Sequence, residues 1–520
     1  MPTHVPRITV LGDGLPRHTR TLRPRTGAPR AGIGRLLLAM VISATSVSAQ
    51  RTPTKPVLSL EPFVLATRAH GEVPAELGSL MVPHRHDDPG GPSMMLRFVR
   101  LKATRPTTAP PVVYLAGGPG GSGIEAARGV RWPVFNAVRQ HADVILLDQR
   151  GTGRSEPPPP CPGPPQPIWP VDRALGPIEA ATIMKAEAAR CVNAWRKQGV
   201  DLAAYTTVQS AHDVDLLRRA LGVPQISLWG MSYGTHLALA VLRAYPATVA
   251  RVVLMGTEGP DHTLKSPLEA DRLLGRLHRW ASRDRAAQVH TRDLWFVLRR
   301  ALNRLESAPL HVRIPGAPAE APPMHLGAFD LQLVVAAMIG RTQTSSLLPV
   351  MLGALHRGDA SLFAQFAWQV RSQLARFSAM PLVMDVASGA SPARRAAVLR
   401  EQEQSVLGEA LNFPWLTLGE DLGLPDLGDG FRAPVNSEVP ALFVSGTMDG
   451  RTPPANAREV MRGFRNARHL TLDQAGHDDD LWISSATIAQ RVSRFFAGES
   501  VRGGTLRTKL LRIPTRPQGS

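Results

Sequence analysis

Ser232 stands in Gly230-Met231-Ser232-Tyr233-Gly234, directly behind the apolar run Gln225-Ile226-Ser227-Leu228-Trp229 and ahead of a helix-like stretch over residues 235–245. A strand, a Gly-x-Ser-x-Gly turn and a helix hold a serine at the tip of a sharp bend, with its hydroxyl open to a reacting partner. The glycines serve the bend, because side chains there would collide with adjacent backbone. A serine hydroxyl is a poor nucleophile at neutral pH. It needs a base to take its proton and an acid to orient that base. Candidates for both lie downstream. Asp449 falls in a turn after the buried apolar run 441–444, and His477 in a loop after the alternating segment His469-Leu470-Thr471-Leu472. Ser, then Asp, then His is one of the chain orders in which such groups meet past strand ends. Two other histidines read differently: His236, one helical turn beyond Ser232, faces inward and packs, and His212 is structural.

A tetrahedral intermediate carries a negative oxygen, which needs backbone N–H donors already in place. Tyr233, the residue after the serine, is expected to supply one. The second is expected from the glycine-rich loop Ala116-Gly117-Gly118-Pro119-Gly120-Gly121-Ser122-Gly123, which follows the strand-like Pro111-Val112-Val113-Tyr114-Leu115. Residues 118–123 also match G-x-G-x-x-G, with Asp148 ending a later strand where a ribose-binding acid would sit. No Gly-Lys-Ser/Thr accompanies it, and a dinucleotide site would leave Ser232, Asp449 and His477 without a purpose.

Three segments together resemble the proline iminopeptidase family: Gly117-Gly118-Pro119-Gly120-Gly121, Asp148-Gln149-Arg150-Gly151-Thr152-Gly153-Arg154-Ser155 and Gly230-Met231-Ser232-Tyr233-Gly234. The late motif Ser-Gly-Thr-x-Asp-x-Arg-Thr-Pro, residues 445–453, is similar to its secreted tripeptidyl-aminopeptidase-like branch. The resemblance covers roughly residues 60–260 and 436–497. It implies an α/β-hydrolase fold, a mostly parallel central sheet flanked by helices, and cleavage at the free N-terminus of peptides. By the same analogy Gly118 and Tyr233 are the oxyanion donors. The chain has Ala116 where the family often has His, and Asp478-Asp479-Asp480 after the base, where carboxylates would favour a protonated imidazole.

The chain of 520 residues exceeds one typical domain. The spacing between Ser232 and Asp449 leaves room for an insertion, and residues 261–435 read as a helical cap with apolar periodicity at 268–280, 293–305, 331–338 and 362–377. Such a lid excludes water and shapes a pocket. The hydrolase core is then split into 50–260 and 436–500. A helix is expected from near Trp482 to about Phe496. Residues 1–49 read as a signal peptide: Arg30 and Arg35 precede the apolar run 36–42, and Val47-Ser48-Ala49 resembles a cleavage site. The run is too short for a stable membrane span, so the expectation is a secreted or periplasmic protein cleaved near Ala49. In an oxidising compartment Cys161 and Cys191 would pair, closing a loop that opens with nine prolines in residues 156–170. That stretch can be neither helix nor central strand.

The net charge of +18 is uneven: residues 1–50 carry +6 and the expected disordered tail 501–520 carries +5, leaving +7 for the rest. No nucleic-acid-binding signature accompanies the charge. Two cysteines cannot complete a zinc site, and the chemistry requires no metal or cofactor. Nothing in the chain sets an oligomeric state. The reading is a secreted serine hydrolase taking a peptide or ester substrate, foremost an aminopeptidase. An aminopeptidase must pin a free ammonium, and Glu258, in the loop after the strand-like 251–255, is the candidate. A carboxylesterase, and a non-catalytic binding protein on the same scaffold, are the alternatives.

Overall fold

The computed structural model describes residues 57–513 except 69, 164–167, 171, 315–322, 375 and 420. The expected signal peptide and its cleavage site lie outside them. The strands in chain order are β1 (Leu58–Thr67), β2 (Gly71–Pro83), β3 (Ser93–Leu101), β4 (Val112–Leu115), β5 (Val144–Asp148), β6 (Ile226–Met231), β7 (Val249–Met255), β8 (Leu310–Val312), β9 (Met324–Leu326), β10 (Ala441–Gly446), β11 (Ala467–Leu472) and β12 (Gly504–Leu506). Apart from the small β8–β9 hairpin they form one 10-stranded sheet in the order β1-β2-β3-β5-β4-β6-β7-β10-β11-β12. β1, β2 and β3 pair antiparallel, and β3 joins β5 antiparallel. From β5 to β12 every pairing is parallel.

The short strands β4, β5, β6, β7 and β10 are mostly apolar and mostly buried because both faces of the sheet are covered. Side chains alternate between two cores. Val113, Leu115, Ile145, Leu147, Leu228, Leu254 and Phe443 enter one, and Val112, Tyr114, Val144, Leu146, Trp229, Val253 and Leu442 enter the other. The second core centres on an aromatic cluster in which Trp229 and Trp482 stack with ring centroids 4.8 Å apart and Tyr114 meets Phe135 edge-on at 4.9 Å. Parallel strands place their carboxyl ends along one edge, so the loops after β4, β6, β7, β10 and β11 all open on the same side.

Between β7 and β10 the chain builds a helical segment with its own apolar cluster, drawn from Leu273, Leu277, Leu298, Val334, Leu352 and Phe363 among others. Its helices Pro267–Ala281, Leu294–Ser307, Ala328–Met338 and Ser361–Leu374 coincide with the periodic stretches of the sequence. The first is entered through Ser266, whose side chain accepts from the Glu269 N–H, and the second through Asp293, which accepts from Phe296. These caps satisfy backbone donors that the first helical turn leaves free.

Two elements differ from expectation. The helix expected from near Trp482 to about Phe496 is two helices, Asp480–Ile483 and Ala486–Phe496. Ser485 interrupts it by turning its hydroxyl back to accept from the Thr487 N–H, a local bond that competes with helix continuation. Within 501–520, expected to be a disordered tail, Gly504–Leu506 extends the sheet beside β11. The Thr508 hydroxyl ties this stretch to the Asp473 carbonyl, and Leu511 packs into the helical segment's core. The three antiparallel strands at the start of the sheet are absent from the sequence reading.

Cys161 and Cys191 form a disulfide, with Cα atoms 5.2 Å apart across 30 positions. It pins the proline-rich stretch to the helix Pro177–Lys197, whose Trp195 donates its indole N–H to Pro159 O at 2.9 Å. Reduction is therefore expected to lower the unfolding free energy by about 3–4 kcal/mol, the scale for closing a loop of this length. Denaturant midpoints with and without reductant measure it; equal midpoints would mean that the bridge constrains nothing.

Candidate active site

Ser232 has φ 54° and ψ −123°, a backbone geometry costly for any residue with a Cβ. Three hydrogen bonds hold it there: Ser232 N–H donates to Met255 O at 2.9 Å, and Ser232 O accepts from Thr235 N–H at 2.8 Å and from the Thr235 hydroxyl at 2.6 Å. The flanking glycines are steric necessities. A Cβ on Gly230 would strike the Gly234 carbonyl, and one on Gly234 would strike the Leu115 carbonyl. β6 therefore ends in the bend and the helix Tyr233–Ala244 starts at once, most of its residues buried.

His477, in the loop after β11, reaches back to this bend. Its Nε2 lies 3.0 Å from Ser232 Oγ, and its Nδ1 lies 2.8 Å from Asp449 Oδ2. Asp449 is fully buried in the turn after β10. Its Oδ1 accepts from the N–H groups of Arg451 and Thr452, both at 2.8 Å, and its Oδ2 accepts from the Thr452 hydroxyl at 2.8 Å. A carboxylate so supplied with donors stays ionised and accepts a hydrogen bond from His477 Nδ1–H as well, leaving Nε2 bare to accept from the Ser232 hydroxyl. Thr452 Oγ also lies 3.2 Å from His477 Nδ1. It fixes the carboxylate and the ring together, a role that the sequence reading did not give it although it stands in the quoted 445–453 motif. The backbone N–H of His477 donates to Gly340 O, from the inserted segment, at 2.9 Å.

Burial opposes charge on both partners, but their mutual attraction prevails. Burial alone would depress His477; the Asp449 charge and hydrogen bond, with help from Asp478, raise it above the ordinary imidazole value. Burial would raise Asp449; the His477 charge and the hydrogen bonds from His477 and Thr452 hold it below the ordinary carboxylate range. Of the three following carboxylates, Asp479 pairs with Arg131 at 2.7 Å and Asp478 with Arg341 at 2.8 Å. Asp480 turns away, accepting from Gly476 N–H at 2.9 Å and the Thr342 hydroxyl at 2.6 Å.

Ser232, His477 and Thr452 line a cavity of about 760 Å³, with Gly117 and Gly118 on one wall. The glycine-rich loop touches the bend: a Cβ on Gly117 would lie 2.9 Å from Ser232 Cβ. Tyr233 opens its helix, so its N–H has no acceptor within that helix. Its phenol is buried and meets the Thr207 hydroxyl at 2.9 Å. Asp148, weighed as a ribose acid, is committed to the protein: it accepts from the Ser122 hydroxyl at 2.6 Å, Ile124 N–H at 3.1 Å and Arg154 N–H at 2.8 Å. It ties the glycine-rich loop to the loop after β5. His236 is buried and structural, donating from Nδ1 to Gly259 O at 3.0 Å with Nε2 3.1 Å from Ser388 Oγ. His212 meets the Tyr245 hydroxyl. Glu258 lines the same cavity, but its Oε1 lies 2.8 Å from Lys265 Nζ. Lys265 was not singled out in the sequence, and neither was Asp385 of the inserted segment, which also lines the cavity.

The family of the alpha/beta hydrolase fold matches residues 110–482. The chain belongs to that family. It is 33% identical over 212 residues to serine protease Hip1 of Mycobacterium tuberculosis, a match spanning 37% of each chain. It is 28% identical over 250 residues to a tripeptidyl aminopeptidase of Streptomyces lividans, across 44% of this chain and 46% of that one. A probable proline iminopeptidase of Streptomyces coelicolor is 30% identical over 146 residues, 28% of this chain and 32% of the relative. The matched stretches span less than half the length of each of these relatives.

If His477 acts as a base, hydrolysis rises as its ring loses the proton, so kcat/KM climbs with pH through a midpoint above about 6.5, the unperturbed imidazole value. Asp449→Asn removes the charge that holds that proton and should move the midpoint down while lowering kcat. A pH–rate profile of both proteins on one chromogenic substrate checks this; an unshifted midpoint would break the electrostatic link between the two residues.

Proposed function

We propose that the protein is an exported serine hydrolase, foremost an aminopeptidase releasing N-terminal residues or short peptides. The observation that carries the reading is His477 standing between Ser232 Oγ at 3.0 Å and Asp449 Oδ2 at 2.8 Å on the wall of a cavity of about 760 Å³. In this reading Ser232 Oγ attacks the scissile carbonyl carbon while its proton passes to His477 Nε2. Asp449 keeps the Nδ1 tautomer and steadies the imidazolium. The tetrahedral oxyanion takes hydrogen bonds from the backbone N–H groups of Gly118 and Tyr233. Collapse expels the amine, which leaves with the proton from Nε2. Water then enters, gives a proton to Nε2 and attacks the acyl-enzyme, and the second collapse returns that proton to Ser232.

The peptidase names of the relatives support peptide over ester substrates, and although the cavity wall mixes basic and acidic groups, Glu258 and Asp385 are among the carboxyl groups it offers to a cationic substrate terminus. Glu258 is the first of these, although Lys265 already engages it. The glycine-rich loop and the bend touch along Gly117, which supports their acting on one substrate oxygen. The Cys161–Cys191 bridge supports export, since such bonds persist in oxidising compartments. Among the described residues no helix is long and apolar enough to cross a membrane.

A fluorophosphonate probe should label the wild-type protein at Ser232 and fail to label Ser232→Ala. Turnover in that variant should fall by about a million-fold, the scale for losing the nucleophile of such a unit. A panel of aminoacyl, tripeptidyl and acyl-ester chromogenic substrates separates peptidase from esterase. Wild-type-like turnover in Ser232→Ala would end the proposal.

A further inference from the structure

Among the charged groups that line the cavity beside Ser232, Lys265, Glu258 and Asp385 do not stand on equal terms. Lys265 is pinned. Its Nζ donates to Glu258 Oε1 and to His262 O, each at 2.8 Å, while its backbone N–H donates to Asn412 Oδ1 at 2.6 Å and its carbonyl accepts from Asn412 Nδ2 at 2.9 Å. Glu258 therefore meets any incoming amine with its charge already answered, and the net effect of Lys265 and its neighbours is to keep it ionised despite burial. Asp385 lines the same cavity from the helix Ala379–Ser388. Among the described residues its carboxyl has neither a hydrogen-bond donor nor an ion-pair partner, while Glu258 and Lys265 lie close enough to act on its charge.

The helix that carries Asp385 is fixed against the site. Met380, Leu382, Val383 and Met384 are buried in the core beneath it. A Cβ on Gly120 would lie 2.8 Å from Pro381 Cγ, so the helix abuts the glycine-rich loop. Ser388 Oγ lies 3.1 Å from His236 Nε2, on the helix that starts after Ser232. Asp385 is thus held in place on the cavity wall and, among the described residues, its carboxyl lacks a hydrogen-bond or ion-pair partner.

We propose that Asp385, rather than Glu258, selects a free ammonium group on the substrate of this cavity, with Lys265 as the resident cation that occupies Glu258. The proposal rests on the aminopeptidase reading and names the residue that gives it selectivity. Burial, then the charge of Glu258, push the Asp385 carboxyl well above the ordinary range, and Lys265 opposes this without reversing it. His236 and His262 face Glu258, the former held neutral by its burial. With no cation beside it, the Asp385 carboxyl is biased toward its protonated form. A substrate ammonium supplies the missing countercharge. Asp385 loses its proton to solvent, and the carboxylate pairs with the ammonium: one O–H bond breaks, one ion pair forms, and one proton is released. A substrate with an acylated N-terminus brings no cation and leaves Asp385 protonated and unsatisfied. The substrate class is peptides with a protonated N-terminus, and their KM should fall as pH rises toward the Asp385 transition, up to the point near pH 8 where the amine itself deprotonates.

The test is calorimetric and kinetic. Full-length Ser232→Ala is titrated with a tripeptide amide at mildly acidic pH in two buffers of different ionisation enthalpy. Release of close to one proton per bound peptide is expected, and release of none overturns the proposal without any change at position 385. In the active enzyme, Asp385→Asn should cut the ratio of kcat/KM for free-amine over N-acetyl substrates by about ten- to a hundred-fold, the scale of a hydrogen bond to a charged group. It should also erase the acid-side pH dependence of KM, and Asp385→Glu should restore part of both. An unchanged ratio in Asp385→Asn, with the wild type still preferring free amines, sinks this inference alone. A wild type indifferent to the amine sinks the aminopeptidase reading and the inference with it.

Discussion

The site depends on one backbone conformation, the positive φ of Ser232. A non-glycine residue held there costs on the order of 1–3 kcal/mol and persists only where its surroundings leave no alternative. Here β6 is locked between β4 and β7, and the helix Tyr233–Ala244 is packed so closely that Gly234 abuts the Leu115 carbonyl. Relaxing Ser232 would mean withdrawing that helix from the sheet and breaking the Thr235 bonds to the Ser232 carbonyl. The strain is small beside the apolar core that would have to open. Because the strands are parallel, the same edge that exposes Ser232 also receives the turn after β10 and the loop after β11, so Asp449 and His477 need no further device to arrive there.

The inserted segment is coupled to this edge through polar contacts as well as packing. Gly340 O accepts the His477 N–H, Arg341 pairs with Asp478, and the Thr342 hydroxyl donates to Asp480. Three consecutive residues of the insertion therefore hold the loop that carries the imidazole. On the other side, the helix Ala379–Ser388 bears on the glycine-rich loop and on His236. A displacement of the insertion would have to break these bonds, so the position of the imidazole and the shape of the cavity are linked. The acidic run 478–480, which the sequence reading expected to favour a protonated His477, is engaged by these contacts and by Arg131, and Asp478 still adds to the raised pKa of His477.

What the sequence disclosed follows the range of the forces involved. Ser232, Asp449 and His477 were legible because each sits in a short signature: a strand, a glycine-shaped turn, a chain order. The helices of the insertion were legible because their apolar periodicity is local. The opening antiparallel strands were missed because they are long and partly exposed, with β1 mostly open to solvent, and carry no continuous apolar run. β12 was missed because a three-residue strand in a basic stretch has no pattern of its own; the ladder of β11 recruits it. The split at Ser485 turns on a single side-chain bond. Lys265 and Asp385 have no motif, since their meaning lies in what distant segments place beside them.

Asp449 and Asp385 make that distinction physical. Burial pushes both toward the neutral acid, yet Asp449 is held low and Asp385 is driven high. Donors decide between them. Asp449 receives the N–H groups of Arg451 and Thr452, the Thr452 hydroxyl and His477. Of these, Arg451 and Thr452 are two and three residues along the chain, so a turn that forms at all brings its own donors and the charge of Asp449 is encoded locally. Asp385 lies on a helix, where neighbouring backbone N–H groups are already engaged with carbonyls one turn back. Its helix can offer it no backbone donor, and the charges that act on it, Glu258 and Lys265, come from a segment more than a hundred positions earlier. An acid on a helix that faces a like charge and lines the cavity is biased toward its neutral form, and a cation entering that cavity would reverse the bias.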